Sequence, residues 1–272
     1  MGKRDNHQRD LIVLLEEYQQ TGGDEPLLGY IVSNSNLPGP RGNLELAQAF
    51  GDAAEDCAAA RRVRLWELYV RMSELPPEEA PVNDPRELIP FCGAIGIGAL
   101  GSISPAFFEP ALVSLRDLSI DSRWRMREAV RFGLQRLLAQ RWPETLEALE
   151  GWVRPGAWLE MRAAATGVAE PSLLKDSPKA AAALQLHSLV IDQLLLTSDR
   201  KNDAFKALRK GLAYSLSVVV SALPEDGFTY MRKLAASHDS DALWILKQNL
   251  KKSRLVKHFP HEVEAIRRKL PA

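Results

Sequence analysis

The segment Asp121-Ser-Arg-Trp-Arg-Met-Arg127 consists of an Asp, four residues, a large apolar residue and a base, and this form recurs along the chain. Two further copies are Asp203-Ala-Phe-Lys-Ala-Leu-Arg209 and Asp241-Ala-Leu-Trp-Ile-Leu-Lys247, whereas Gly156-Ala-Trp-Leu-Glu-Met-Arg162 has glycine in the Asp position. The successive bases at 127, 162, 209 and 247 are spaced by 35, 47 and 38 residues. Such spacing is typical of a repeated unit of two helices.

The chemistry of this form predicts the start of a helix. Asp is a favourable N-cap residue, and its carboxylate also suits the positive end of the helix dipole. The large apolar residue and a second one three positions after the base form an inward stripe, which one repeat buries only against its neighbour. Those second residues are Val130, Ala165, Leu212 and Leu250. Apolar residues recur three and four apart elsewhere too, and Pro and Gly separate the segments, so we predict an all-α chain.

The pattern resembles HEAT repeats, whose second helix opens with Asp, a short spacer, an aliphatic residue and Arg, over about residues 105 to 255. The resemblance implies a right-handed α-α superhelix, a HEAT-like solenoid of stacked antiparallel helix pairs with a concave binding face. It also implies that the repeated bases, Arg127, Arg162, Arg209 and Lys247, brace the neighbouring repeat.

The chain is predicted to form a single α-solenoid domain over residues 1–272. Residues 1–100 fit the repeat less well and are interpreted as an amino-terminal cap, with helices near 8–20, 44–61 and 63–74. The segment 34–43 is too rich in Pro and Gly to be helical, and it is either a structural loop or a functional insertion. Residues 101–257 hold the HEAT-like repeats, and 258–272 a terminal helix or tail.

The charged residues, the cysteines and the apolar stretches of the chain narrow the range of functions that it can have. Acidic and basic residues balance at 35 each, but from Arg200 onward 15 Lys and Arg face 7 Asp and Glu, a local excess of +8. This asymmetry indicates a segment that faces polyanions, whereas the overall balance argues against a dedicated duplex-DNA binder. Cys57 and Cys92 are expected to be buried, reduced thiols, which favours the cytoplasm. No signal peptide and no membrane span are predicted.

The sequence contains only weak matches to nucleotide-binding, metal-binding and catalytic motifs. Gly96-Ile-Gly98-Ala-Leu-Gly101 matches the dinucleotide pattern, but without strands around it we interpret it as a helix with small residues for close packing. His258 and His261 are separated by Pro260 and lack further ligands, and His187 and Asp192 have no nucleophile nearby. We therefore predict no catalytic residue, no metal site and no cofactor.

A candidate binding surface is instead predicted in the basic last quarter of the chain and at two tryptophans. Lys247, Lys251 and Arg254 share one face if a single helix carries them, and they either track phosphates or form a solvated cap face. Trp124 and Trp244 occupy equivalent positions and are expected to pack between repeats, the alternative being stacking in a binding groove. The full set is Arg209, Lys210, Lys247, Lys251, Lys252, Arg254, Trp124 and Trp244.

The preferred functional hypothesis is a non-catalytic module that binds a protein or nucleic-acid partner on its concave face, since stacked repeats provide extended surfaces. The alternative follows from size and from the Trp- and Arg-rich repeats, which are similar to those of the bacterial HEAT-like alkylpurine DNA glycosylases. That resemblance implies DNA held in a basic cleft for alkylation repair. No catalytic residue is transferred from that family.

Overall fold

The structure, a computed structural model, describes residues 2–57 and 62–270. Within these residues it contains fifteen α-helices, one short 3-10 helix at Pro85–Glu87 and no strand, which confirms the all-α prediction. By its contacts the chain divides into two compact units, Met1–Thr145 and Leu146–Ala272, each described by itself below.

The first unit contains α1 (Lys3–Thr21), α2 (Glu25–Ser33), α3 (Leu44–Asp56), α4 (Arg62–Ser73), α5 (Leu88–Ile103), α6 (Pro105–Leu118) and α7 (Trp124–Gln140). Helix α8 (Trp142–Val153) includes the boundary between the units. The second unit contains α9 (Trp158–Val168), α10 (Ser177–Leu196), α11 (Asp203–Ala222), α12 (Pro224–Ala235), α13 (Ser240–Asn249), α14 (Ser253–His258) and α15 (Pro260–Arg267).

Odd-numbered helices pack side by side in the first unit, α1 on α3, α3 on α5 and α5 on α7, while α4 and α6 pack on α5 from the second layer. The rings of Phe91 and Phe132 lie 6.0 Å apart, and seven residues after Phe91 the backbone at Gly98 meets Gly133. Three residues farther along α5, Gly101 meets Leu137, which is four residues farther along α7, so the two helices run parallel.

Helix α4 of the second layer runs antiparallel to α5. In the contacts between α4 and α5, Gly93 meets the backbone of Ser73, whereas the later residue Gly96 meets the earlier residue Tyr69. An antiparallel helix pair followed by a parallel neighbour of the same layer is the arrangement of stacked helix pairs in a solenoid. The structure thus confirms the predicted stacking within this unit.

The second unit repeats this order. Helix α9 packs on α11 and α11 on α13, with α10 and α12 against α11. Trp158 contacts Phe205 edge to face at 5.6 Å, and Arg162 lies beside Gly211 farther along both helices, so α9 and α11 are parallel. Arg209 of α11 forms an ion pair with Asp241 of α13, which confirms that this base braces the next repeat.

Helix α5 is the core of the first unit. Every residue from Leu88 to Ser102 is buried against α2, α3, α4, α6 and α7. Among the described residues, Pro85–Ile103 is the one stretch long and apolar enough to cross a membrane by length and composition, and 89% of its apolar window is buried within the protein. Contacts with neighbouring helices therefore account for its apolar composition.

The glycines of the dinucleotide-like motif serve helix packing, as the sequence predicts. A Cβ at Gly98 would lie 2.6 Å from the carbonyl carbon of Gly133, and one at Gly133 would lie 2.8 Å from the carbonyl oxygen of Ala94. A Cβ at Gly96 would meet the ring of Tyr69 at 2.8 Å. Glycine is needed at these positions because backbone and rings occupy the space of a side chain.

The predicted N-cap role of the repeated Asp is wrong in the copies that begin at 203 and 241. Asn202 caps α11 by accepting from the Phe205 amide at 2.7 Å, which makes Asp203 the first helical residue. Asp239 caps α13 by accepting from the Asp241 and Ala242 amides at 2.9 and 3.0 Å. In both copies the repeated Asp already lies within the helix, so an earlier residue is the N-cap.

Asp121 is not an N-cap either, because α7 begins at Trp124. Its carboxylate accepts from the Arg123 amide at 2.6 Å and holds the buried Arg123 guanidinium at 2.7 Å. That guanidinium also donates to the carbonyl of Ala80 at 3.2 Å. Asp121 therefore organises the turn that precedes α7.

The first hundred residues differ from the prediction in detail. Helix α2 is present where none was predicted, and the segment 34–43 lacks a helix as expected. Asn43 caps α3 by accepting from the Leu46 amide at 3.0 Å. The predicted helix 44–61 ends earlier, at Asp56, because Cys57 is extended, and residues 58–61 lie outside the described residues.

Cys57 and Cys92 are both free and buried, as predicted. Burial raises the pKa of the Cys57 thiol to about 12, with smaller contributions from Glu16 and Asp56. Burial alone raises the pKa of the Cys92 thiol well above its ordinary value. Both side chains therefore remain protonated thiols at neutral pH.

His187 of α10 is fully buried and makes ordinary hydrogen bonds, as predicted. Nδ1 lies 2.8 Å from the carbonyl of Ala183 and therefore carries the proton, which leaves Nε2 to accept from the Ser215 hydroxyl at 2.8 Å. Burial lowers the pKa of this imidazole from 6.5 to about 4, although the bond to Ala183 opposes the change.

We expect His187 to make the second unit sensitive to acid. In the unfolded chain the imidazole binds a proton near pH 6.5, whereas the folded state resists it until about pH 4. The stabilisation is thus present above pH 6.5 and is lost as the pH falls toward 4, about 2 kcal/mol of it between ~pH 7 and ~pH 5. Urea unfolding at both pH values measures the loss.

The matched variants are His187→Gln, which removes the buried titration, and His238→Gln, which changes an exposed histidine. The pH-dependent part of the unfolding free energy should shrink in the first variant and persist in the second. An unchanged pH dependence in His187→Gln would contradict the assignment.

Candidate binding surface in the second unit

A shallow groove lies beside α13 and the end of α15. Its lining contains three cations and one large aromatic ring, and it contains no Asp or Glu. The lining residues are Trp244, Lys247, Gln248, Leu250, Lys251, Arg267 and Leu270. Of the predicted surface residues, the structure therefore brings Trp244, Lys247 and Lys251 together.

Packing on the opposite side of α13 decides which residues face the groove. Asn249 is buried, and its side-chain amide donates to the carbonyls of Leu212 and Ile245 at 2.9 and 2.8 Å. Its side-chain oxygen accepts from the Ser217 amide at 2.8 Å. Since these bonds fix Asn249 against α11, Trp244 and Lys247, which are three residues apart, remain on the outer side of the helix.

Arg209 extends the groove at its Trp244 end. The guanidinium carbon of Arg209 lies 4.4 Å above the Trp244 ring, and the same guanidinium is paired with the buried Asp241. Arg200 joins this cluster, donating to Asp241 at 3.2 Å and to Asp239. Arg209 is thus both a brace between repeats and the border of the groove.

Asp239 of this cluster remains ionised. Burial alone would raise the pKa of the Asp239 carboxyl, but hydrogen bonds from the Ala242 amide and from Arg200 hold it below its ordinary value. The bond to Asp239 correspondingly raises the pKa of Arg200, with a smaller contribution from Asp241. Asp239 and Arg200 therefore face each other as an ion pair of full charges at neutral pH.

Tyr214 organises the remaining cations and was missed in the sequence. Its ring is 47% exposed, and its hydroxyl accepts from Arg254 at 2.8 Å. The Arg254 guanidinium carbon and the Lys252 ammonium lie 5.0 and 5.6 Å from the ring centroid. The signal available was the spacing of Tyr214 four residues after the exposed Lys210, which places both on one side of α11.

Lys247, Lys251 and Arg254 do not share one helix face, contrary to the prediction. Helix α13 ends at Asn249, and α14 begins at Ser253. Lys251 lies in the turn between them, where its backbone amide donates to the carbonyl of Gln248 at 3.4 Å and its ammonium contacts no acceptor among the described residues. We name the groove with Arg209, Lys210, Tyr214, Lys252 and Arg254 the basic face.

Trp124 lies in the first unit and is not part of the basic face. Its side chain is 48% exposed, and the Arg125 guanidinium lies 4.8 Å from the ring centroid. The expectation that Trp124 packs between repeats is therefore wrong. Trp244 is only half-buried, and the guanidinium of Arg209 covers one side of its ring.

Metal-binding clusters are absent from the described part of the chain, where no group of three His, Cys, Asp or Glu residues could hold an ion. His258 and His261 are exposed on either side of Phe259 and Pro260, the latter being the first residue of α15. Glu262 of the same segment is paired with Arg232 at 2.7 Å.

Comparisons with known proteins are uninformative about function. No protein-family model matches the chain, and no curated protein matches it. A solved engineered protein is 12% identical over 89% of this chain and 98% of its own, with a TM-score of 0.31. A designed armadillo repeat protein is 13% identical over 82% and 98%, with a TM-score of 0.28. The fold described above therefore rests on the helix packing itself.

Proposed function

We propose that this protein is a non-catalytic binding module and that its basic face binds an acidic segment of a protein or a nucleic acid. The observation that carries the proposal is the groove of the second unit, where Lys251 and Arg267 line one concave surface with Trp244 and Lys247 and the lining contains no Asp or Glu. Basic side chains gathered in one groove create a positive potential that attracts polyanions.

The aromatic rings of the basic face favour recognition by charge over recognition of individual bases. Arg209 already covers one side of the Trp244 ring, and Lys252 and Arg254 contact the Tyr214 ring. These cation–π contacts hold the cations in place, so less side-chain freedom is lost when an anion binds. We therefore expect affinity that depends strongly on salt and weakly on sequence.

Charge reversal tests the proposal directly. The double variant Lys251→Glu/Lys252→Glu should bind a fluorescently labelled acidic peptide or oligonucleotide at least about tenfold more weakly, because two attractive charges become repulsive. The matched control is Lys175→Glu/Lys201→Glu, which makes the same charge change at two exposed lysines of the same unit. Fluorescence anisotropy across a salt series measures both affinities.

Poly-glutamate, single-stranded DNA and duplex DNA serve as separate probes, so that the class of partner emerges from the same measurement. Binding that is undetectable for all three probes, or that the two double variants weaken equally, would overturn the proposal. The alternative, action on alkylated DNA as the glycosylase resemblance implies, is tested with the wild-type chain. Release of methylated purines from duplex DNA, lost on changing one Asp or Trp, would replace the non-catalytic proposal.

A further inference from the structure

A second concave site, separate from the basic face, lies within the first unit. It is a pocket of about 200 Å³ between the loop 34–43, the start of α3, and the helices α5 and α7. Its lining is mostly apolar. It also includes three arginines, of which two are paired with glutamates and the third is not. The lining residues are Arg41, Gly42, Leu44, Leu88, Phe91, Trp124, Arg125, Glu128, Arg131 and Phe132.

The apolar part of the pocket has a fixed base and an open rim. Leu88 and Phe91 are buried on α5, and the Phe132 ring lies 6.0 Å from the Phe91 ring and 4.0 Å from the Arg131 guanidinium. By contrast, Leu44 and Trp124 are each about half exposed at the rim. Large apolar groups exposed beside a pocket indicate a surface that a ligand can cover.

The loop that forms one wall is tied down. The Gly39 amide donates to the Asn83 side chain at 2.9 Å, and the Gly39 carbonyl accepts from Arg125 at 3.0 Å. Asn43 closes the loop, its amide donating to the carbonyl of Ser35 at 2.8 Å. The wall is therefore formed before any ligand arrives, which lowers the entropic cost of binding.

The charges around the pocket leave one cation uncompensated. Arg125 is paired with the buried Glu87 at 2.8 Å, and Arg131 lies 3.3 Å from Glu128. Arg41 is exposed and makes no hydrogen bond or ion pair with any described residue. The pocket thus combines an aromatic enclosure with a single available positive charge at its edge.

From this arrangement we infer that the first unit binds a small carboxylic acid with one aromatic ring. The ring lies between Trp124 and the apolar base, and the carboxylate pairs with Arg41. The size agrees, since a cavity of ~150 Å³ accommodates benzene and this pocket leaves room for a short carboxylate arm. Arginine suits this role because its guanidinium pairs with a carboxylate through two parallel hydrogen bonds.

The test compares three probes that share one ring and differ in charge: phenylacetate, the neutral phenylacetamide and the cationic phenethylamine. Calorimetry on the full chain should show binding of phenylacetate, binding of phenylacetamide at least about tenfold weaker, and no binding of phenethylamine. Arg41→Gln should remove the difference between the first two probes. Trp124→Ala should weaken the binding of both.

The matched control is Arg154→Gln, which changes an exposed arginine of the second unit and should leave phenylacetate binding unaltered. Equal affinity of wild-type protein for phenylacetate and phenylacetamide, no binding of either, or no effect of Arg41→Gln would each overturn the inference. The double variant Lys251→Glu/Lys252→Glu should bind phenylacetate normally, so the outcome is independent of the function proposed for the basic face.

Discussion

Replacing Gly98 by alanine is expected to lower the free energy of unfolding by at least about 3 kcal/mol, although the change adds only one methyl group. The new Cβ would overlap the backbone of Gly133, which has no rotamer with which to move aside. Helices α5 and α7 would have to separate, and α5 is the buried core of the first unit. Urea unfolding followed by circular dichroism measures the effect.

The control is the same substitution at Gly29, an exposed glycine of α2 whose Cβ would meet nothing within 4 Å. There alanine should be neutral or should stabilise by up to about 1 kcal/mol, because it has the higher helix propensity. If Gly98→Ala were tolerated as well as Gly29→Ala, the close crossing of α5 and α7 would be refuted.

Removing the buried partner of Arg125 is expected to cost about 3 to 5 kcal/mol. Glu87 is fully buried, and its Oε2 accepts from Arg125 at 2.8 Å and from the Asn83 amide at 2.7 Å. In Glu87→Leu the Arg125 charge stays inside the protein without its counter-ion. Chemical unfolding of the single variant measures this cost.

The double variant Glu87→Leu/Arg125→Met separates the lost ion pair from the lost packing. It should recover much of the stability, because no uncompensated charge remains buried. Glu262→Leu provides the surface control: its ion pair with Arg232 is largely exposed, so we expect a cost below about 1 kcal/mol. A double variant less stable than Glu87→Leu would argue against charge burial as the cause.

The sequence predicted the helical layers because their signal is local. Apolar spacing, Pro and Gly identify helices without knowledge of their partners, and the small residues of α5 correctly indicated close packing. The partner of Gly98, however, is Gly133, and only the folded chain brings these glycines together. The first residues of the helices were not predicted correctly. Asn202 and Asp239 compete with the repeated Asp for the N-cap position, and propensity alone does not decide among adjacent capping residues.

The candidate site was predictable only in part for the same physical reason. The local excess of Lys and Arg identified the region of the basic face, whereas the contact of Arg209 with Trp244 depends on how α11 and α13 pack. Tyr214 gave no charge signal and was overlooked. Trp124 was misjudged because its position matches that of Trp244 in the repeat, although the two side chains have different neighbours.

Helices α9, α11 and α13 run parallel, so their dipoles point in one direction. Their positive dipole ends lie at one edge of the row, where Asp203, Asp239 and Asp241 are found. Lys247 and Lys251 lie at the opposite end of α13, and the full charge of Lys251 alone exceeds the helix dipole charge of about −0.5 there. A polyanion in solution is therefore attracted toward this end of α13 before any contact forms.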